Sequence, residues 1–284
     1  MEFNLEDFEN TVETKKAPEF KLGLFTGISQ EEYREIPALA NSDAVMIERN
    51  PSDYIWSRNA PTNFSKVMAK DIGSAIHALL LEPEKYSDMV FVSSVKGRQT
   101  KTFEQEIVDN PDKIVLTQEE AEQVKIMAGS VFAHPAASKL LSAKGENECS
   151  IFVEDKQTGA KLKIRPDKNI FEQTGYILDI KKTDDLSKWR SDKEWINPLH
   201  VLNYGHNASF YTDVMEQHYN REAKGYVFLC VQSKVELGKY PVGVFIITKE
   251  QMIEMGFWAR HRVNIEKYKK CLDSDSWVHF ESFK

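Results

Sequence analysis

The clearest alternation of apolar and polar positions lies between Lys161 and Thr183, KLKIRPDKNIFEQTGYILDIKKT. Behind the turn residue Gly175, the run Tyr176-Ile-Leu-Asp-Ile-Lys-Lys182 predicts a β-strand. Side chains alternate along a strand, so Ile177, Asp179 and Lys181 share one face while Tyr176, Leu178 and Ile180 share the other. Lys161, Lys163 and Arg165 likewise fall on one face, with Leu162 and Ile164 opposite. Residues 148–154 and 160–165 are expected to pair as a hairpin around Gln157-Thr158-Gly159.

Elsewhere the apolar positions follow helical spacing. A helix is expected over 42–50, with Ser42 as its N-cap and Pro51 as its stop. A short helix follows over 52–56, and Asn59-Ala-Pro61 reads as loop. Asp71 is a cap candidate for a helix over 72–82, whose stripe Ile72, Ala75, Ile76, Leu79 and Leu80 marks a buried element ended by Pro83. Thr117-Gln-Glu-Glu120 is a capping-box pattern opening a helix to about 133. His134-Pro135 breaks it, and a short helix over 136–142 comes next. The second half predicts a long helix over 198–220, strands over 225–231 and 240–248, and a closing helix over 249–272. Residues 84–116 read as irregular, with Lys96, Arg98 and Lys101 in a mobile loop, and residues 184–197 as a polar linker. Residues 1–36 are acidic and aperiodic, a mobile or partner-docked arm ahead of one domain over 37–284. This order predicts an α/β (α+β) fold, a mixed central β-sheet flanked by helices.

Composition narrows the function classes. The chain has 284 residues, 41% hydrophobic and 29% charged, with no apolar run near the length of a membrane span. An acidic start is unlike a signal peptide, so the expectation is a cytoplasmic protein with no membrane partner. Cys149, Cys230 and Cys271 lack paired spacing and read as reduced, structural thiols. A net charge of -7 argues against a broad nucleic-acid coat and leaves room for a local basic channel.

Against that background Asp167, Asp179 and Lys181 stand out. Two neighbouring strands would bring together two carboxylates suited to hard divalent cations and a lysine suited to a nucleophilic water. The competing reading is a surface salt bridge, since Asp-x-Lys is a common tripeptide. His77 lies one turn after Gly73; the segment alone favours a core histidine, with a metal ligand or phosphate contact as the alternative. His200, Tyr204, Asn207 and Tyr211 recur at spacings of four, three and four, either a solvated face or one turned to a substrate. Glu148 reads as a solvated glutamate at a strand start, with a metal-water ligand as the second reading.

Several ordered motifs together resemble the RecE (exonuclease VIII) nuclease family, a branch of the PD-(D/E)XK nucleases close to the RecB nuclease domain. They are Ser42-Asp-Ala with Arg49-Asn-Pro51, Gly73-Ser-Ala-Ile-His77 with Leu80-Leu-Glu-Pro83, and His134-Pro135. Ser150-Ile-Phe152, Arg165-Pro-Asp167, Leu178-Asp-Ile-Lys181-Lys-Thr183 and Phe210-Tyr-Thr-Asp213 continue the series, which covers residues 36–280. The resemblance implies that His77, Asp167, Asp179 and Lys181 are the metal and catalytic residues. With the backbone carbonyl of Ile180 they would serve Mg²⁺, for which Mn²⁺ substitutes. Tyr211 fits the family's Gln-x-x-x-Tyr motif, with Asn207 standing in the Gln position. Lys161, Lys163, Arg165 and Lys182 become candidates for a phosphate track. The resemblance further implies 5′→3′ digestion of linear double-stranded DNA from its ends, leaving 3′ single strands for recombination. It also implies a RecT-type annealing partner and a ring-shaped homo-oligomer, a tetramer ahead of a trimer. Two alternatives stay open: a catalytically silent scaffold for DNA ends or a recombination partner, and a single-strand exonuclease or endonuclease of the same fold. The lack of a four-cysteine cluster argues against an iron–sulfur version of the latter.

Overall fold

The computed structural model describes residues 19–60, 71–236 and 238–277. The chain opens with β1 (Gly23–Phe25), α1 (Gln30–Glu35), α2 (Asn41–Arg49), α3 (Pro51–Asn59) and α4 (Asp71–Leu81). It continues through α5 (Tyr86–Met89), β2 (Val90–Val92), α6 (Lys101–Asp109), β3 (Ile114–Leu116), α7 (Gln118–Ala133) and α8 (Pro135–Ser142). Strands β4 (Glu146–Asn147), β5 (Ser150–Glu154), β6 (Lys161–Ile164) and β7 (Lys168–Ile170), helix α9 (Phe171–Thr174) and strand β8 (Tyr176–Thr183) follow. The C-terminal part holds α10 (Pro198–Val201), α11 (Tyr204–Tyr219), β9 (Gly225–Gln232), β10 (Val242–Ile247), α12 (Lys249–Glu254) and α13 (Phe257–Ser274).

The main sheet runs β10-β9-β8-β7-β4. β8 and β9 are parallel in register from Tyr176↔Gly225 to Thr183↔Gln232, and every other neighbour is antiparallel. A central parallel pair needs cover on both faces, and the alternation of β8 supplies it. Ile177 joins Tyr226, Phe228 and Cys230 against Phe210, Val214 and Met215 of α11 and Ile265 of α13. Leu178 and Ile180 join Val227, Leu229 and Val231 against Ala75 and Ile76 of α4 and Val124, Met127 and Val131 of α7. A second antiparallel sheet, β1-β5-β6, contains the expected hairpin, with Glu154↔Lys161 closing it. The capping box at Thr117 is present. All three cysteines are free and buried. No described helix is long and apolar enough to cross a membrane.

The structure corrects several sequence expectations. Residues 84–116 are built from α5, β2, α6 and β3, with β2 and β3 paired in parallel. Three-residue strands are too short to show a period, and α6 is anchored mainly through fully buried Phe103. The expected arm also belongs in part to the fold: Gly23 pairs with Phe152, and Tyr33 and Ile36 are buried against the same ring. The rest of that arm, residues 1–18, lies outside the described residues. Helix α2 starts at Asn41, one residue before the proposed Ser42 cap, and the Ala40 N–H donates to Asp43 (3.1 Å). The supposed linker after β8 carries Trp189, stacked on Tyr204 (5.6 Å) and Phe245 (5.3 Å).

Both long C-terminal helices are broken. Asn203 adopts a left-handed conformation (φ 57°) between α10 and α11, and Gly256 (φ 78°) does so between α12 and α13. The two breaks meet at Gly205, where an added Cβ would stand 2.3 Å from the ring of Phe257. Gly205→Ala therefore forces the ring out of a packed seam; the expected loss is about 1–3 kcal/mol, read as a lower urea midpoint.

Candidate metal centre

The site is built where a strand stops early. β7 pairs with β8 from Ile170↔Tyr176 to Lys168↔Leu178, so beyond Leu178 that edge of β8 has no strand beside it. Asp167, the residue before β7, takes the vacant edge with its side chain: the Ile180 N–H donates to its Oδ2 (2.6 Å). In an extended strand the N–H and C=O of one residue point to the same edge. The Ile180 carbonyl therefore faces the same gap.

Helix α4 brings His77 to this edge. Its last turn is tied to β4 by Asn147, whose Nδ2 donates to the Leu81 carbonyl (2.6 Å). His77 Nδ1 lies 3.5 Å from Asp167 Oδ1. Glu148 leaves β4 with φ 50°, an uncommon conformation for a non-glycine residue, and its N–H donates to the Asp167 carbonyl (3.1 Å). One ligand atom each from His77, Glu148 and Asp167 lies within 4.8 Å of the others. Asp179 sits beside this set on the adjoining face of β8, its Oδ2 2.5 Å from Lys181 Nζ. That oxygen is buried and no hydrogen-bond donor is aligned with it.

The electrostatics describe a site short of positive charge. Burial, reinforced by Asp167, pushes the Asp179 carboxyl up against the opposing pull of Lys181. Burial and the Asp167 charge push Glu148 up to about 7. Burial would also raise Asp167, but His77, Lys181 and the Ile180 amide together hold it low. Burial pulls His77 down, and the Asp167 carboxylate outweighs it, so the imidazole is raised. Lys181 loses to burial less than it gains from Asp179 and Asp167, and it stays an ammonium. Three carboxylates, an imidazole and a strand carbonyl make a donor set suited to a hard divalent cation. The residues fit the metal.

A cleft of about 960 Å³ opens above the cluster, lined by Gly73, His77, Glu148, Arg165, Lys181 and Lys182 among others. Tyr204 also lines it, with the Lys181 ammonium 5.2 Å from its ring centre. Arg165 and Lys182 are thus the expected track residues that reach the cleft, and Arg165 is held by backbone acceptors. Its Nε donates to the Glu148 carbonyl (3.0 Å), and its Nη atoms donate to the carbonyls of Ile28 and Ser29.

The rest of the expected phosphate track is not there. Lys163 is 2% exposed and its ammonium donates to the carbonyls of Tyr33, Arg34 and Ile36, so it caps α1 and cannot meet a phosphate. Lys161 stands over the ring of Phe20 on the second sheet, away from the cleft (4.9 Å). Asn207 and Tyr211 lie behind the carboxylates: Asn207 donates to the Tyr226 hydroxyl (3.3 Å) and Tyr211 to the Arg165 carbonyl (3.3 Å). His200 leaves the stripe altogether, because it lies on α10 against Phe257 (4.8 Å). Sequence reasoning undervalued Glu148, whose position depends on a left-handed backbone that no local signal announces.

The sequence matches the profile of the PDDEXK-like domain of unknown function (DUF3799) over residues 48–279. The chain belongs to that family. Its membership places it in the PD-(D/E)XK nuclease superfamily, whose members generally use divalent metals. A crystal structure of a Eubacterium rectale protein, described as a candidate exonuclease, has the same fold with a TM-score of 0.56. The alignment covers 92% of this chain and 97% of that one at 12% identity. No curated protein matches the sequence.

Proposed function

We propose that this PDDEXK-like protein is a Mg²⁺-dependent exonuclease that digests linear double-stranded DNA 5′→3′, as the RecE resemblance implies. The observation that carries the proposal is the meeting of His77, Glu148 and Asp167 within 4.8 Å, beside Asp179 and Lys181, where His77, Glu148 and Lys181 line one cleft. His77, Glu148, Asp167, Asp179 and the Ile180 carbonyl would hold the cation, with Mn²⁺ as a substitute. Cations held there would supply charge relief at the scissile phosphate and activation of a water.

The chain's own residues supply the rest. Lys181 is an ammonium, so it orients the attacking water through a hydrogen bond and offsets charge on the phosphorane-like transition state. Its contact with Asp179 fixes where that ammonium points. Lys182, exposed on the next strand position and lining the cleft, meets a flanking phosphate. Tyr204 offers an aromatic face at the rim, and Arg165 holds the Glu148 backbone in place. The 3′ single strands left behind would feed a RecT-type annealing protein. A ring of subunits, most simply a tetramer, would keep the acidic chain on its substrate.

Incubating the purified protein with 5′- and 3′-end-labelled linear duplex and Mg²⁺ tests the proposal. The expected result is early release of the 5′ label, persistence of the 3′ label, no cutting of closed circles, and no reaction in EDTA. Early release of the 3′ label, or cleavage of closed circles, overturns the assignment.

A further inference from the structure

Lys181 is held in two ways, and they respond differently to a metal. Asp179 Oδ2 lies 2.5 Å from its ammonium, and the centre of the Tyr204 ring lies 5.2 Å from the same nitrogen. A divalent cation is the largest local charge in such a site. A carboxylate engaged as its ligand has less attraction left for a nearby ammonium, which the added charge also repels. An aromatic face attracts the ammonium through its quadrupole, adds no ionic charge and takes no coordination position. Of the two holds, the ring is the one that does not compete for the ion.

We propose that Tyr204, backed by Trp189, is a positioning residue whose ring keeps the Lys181 ammonium in the cleft when Asp179 serves as a metal ligand. The inference rests on the metal-dependent reading above. The surroundings fix the ring. Tyr204 is stacked on Trp189 (5.6 Å, 23°), and Trp189 is stacked on Phe245 (5.3 Å, 18°). Trp189 belongs to the 3₁₀ turn Leu186–Arg190, which folds back on the strand that carries the lysine. Its Nε1–H donates to Thr183 Oγ1 (3.2 Å), two residues beyond Lys181 on β8. The Leu186 N–H donates to Gln232 Oε1 (2.9 Å) and anchors the start of the turn. On the other side, Tyr204 opens α11 directly after the left-handed Asn203, whose Oδ1 accepts from Arg260 Nη2 (2.8 Å). Trp189 is buried and does not line the cleft, so it reaches the chemistry through Tyr204.

The test uses the full chain with Tyr204→Leu, Tyr204→Phe and Trp189→Leu. Single-turnover digestion of labelled duplex at saturating protein, with Mg²⁺, gives the rate of the bound state. Calorimetry with Mn²⁺ in the absence of DNA, and duplex anisotropy in Ca²⁺, give the two affinities. The expected result is a saturated rate lowered roughly 3–30-fold in Tyr204→Leu and Trp189→Leu, with both affinities unchanged. Tyr204→Phe keeps the ring face and restores most of the rate lost in Tyr204→Leu. A wild-type saturated rate in either leucine variant overturns the inference, and so does a loss in Tyr204→Phe equal to that in Tyr204→Leu. Weakened duplex or Mn²⁺ binding in Tyr204→Leu makes the ring a DNA contact or a support for the metal ligands, and also overturns it. Each of these results leaves the metal-dependent reading intact. A wild-type protein that neither binds Mn²⁺ nor digests duplex overturns that reading and the inference together. Near-UV circular dichroism confirms packing, and Tyr204→Leu, at the half-buried rim, carries the test if Trp189→Leu fails to fold.

Discussion

Asp179→Asn is expected to fold normally and to digest linear duplex on the order of 10³-fold more slowly than the wild type. The substitution is nearly isosteric and removes a carboxylate whose ionised form is already disfavoured by burial. Loss of that charge relieves the cost of burying it and deprives Lys181 of the partner that aims it. Activity and stability therefore move independently, which separates a functional carboxylate from a structural ion pair. Lys181→Ala leaves the Asp179 carboxylate buried without a counter-charge and is expected to lose activity to a similar degree. Single-turnover digestion of labelled duplex, beside thermal melts of each variant, measures both halves. Wild-type turnover in either variant removes the phosphodiesterase assignment.

The second large effect concerns stability and lies away from the cleft. Arg262 on α13 donates to both oxygens of Asp155 (2.7 and 2.9 Å) and to Asp213 on α11 (2.7 Å). His261 contacts the same Asp213 oxygen (2.9 Å). Breaking a buried network by removing one partner leaves unpaired charge, so Arg262→Met is expected to cost about 3–5 kcal/mol in urea unfolding. Burial alone would raise both carboxyls, but Arg262, Thr158 and Gln217 hold Asp155, and His261 and Arg262 hold Asp213, below their ordinary values. A carboxylate depressed in the folded state binds fewer protons than in the unfolded chain. Its stabilisation is complete above the unfolded value of about 3.9 and is lost as pH falls further. The wild type should therefore lose more stability than Arg262→Met between pH 5 and pH 2. Equal acid slopes for the two proteins would refute this account of the network.

Local pattern announced some parts of this molecule and concealed others, for physical reasons. The period-two run at Tyr176–Thr183 was readable because both of its faces meet apolar layers, which imposes a strict alternation. The capping box at Thr117 and the break at His134-Pro135 were readable because the first satisfies local backbone groups and the second removes an N–H that a continuing helix would need. His77, Asp167, Asp179 and Lys181 could be nominated as a set from motifs, and the fold brings their elements to one edge. The direction in which Lys163 points was hidden. Strand alternation places it on a face, and only the docking of Tyr33–Ile36 shows that this face is covered by carbonyls. Glu148 depends on a left-handed backbone whose N–H is held by the Asp167 carbonyl, and the back-facing positions of Asn207 and Tyr211 depend on long-range packing of α11 on the sheet, which no window of sequence contains.

The early end of β7 has a consequence for how such a centre tolerates change. A strand edge without a neighbour normally invites another chain, but here the Asp167 side chain occupies it as a one-residue plug. Were β7 to zip up by two more residues, Pro166 would stand opposite Ile180 and its carbonyl would take the Ile180 amide in place of Asp167. The cation pocket would close without a single ligand being mutated. Insertions or deletions between Ile164 and Lys168 should accordingly be far less forgiving than substitutions at most of the pocket's walls, because the length of that link, as much as its chemistry, keeps the edge open.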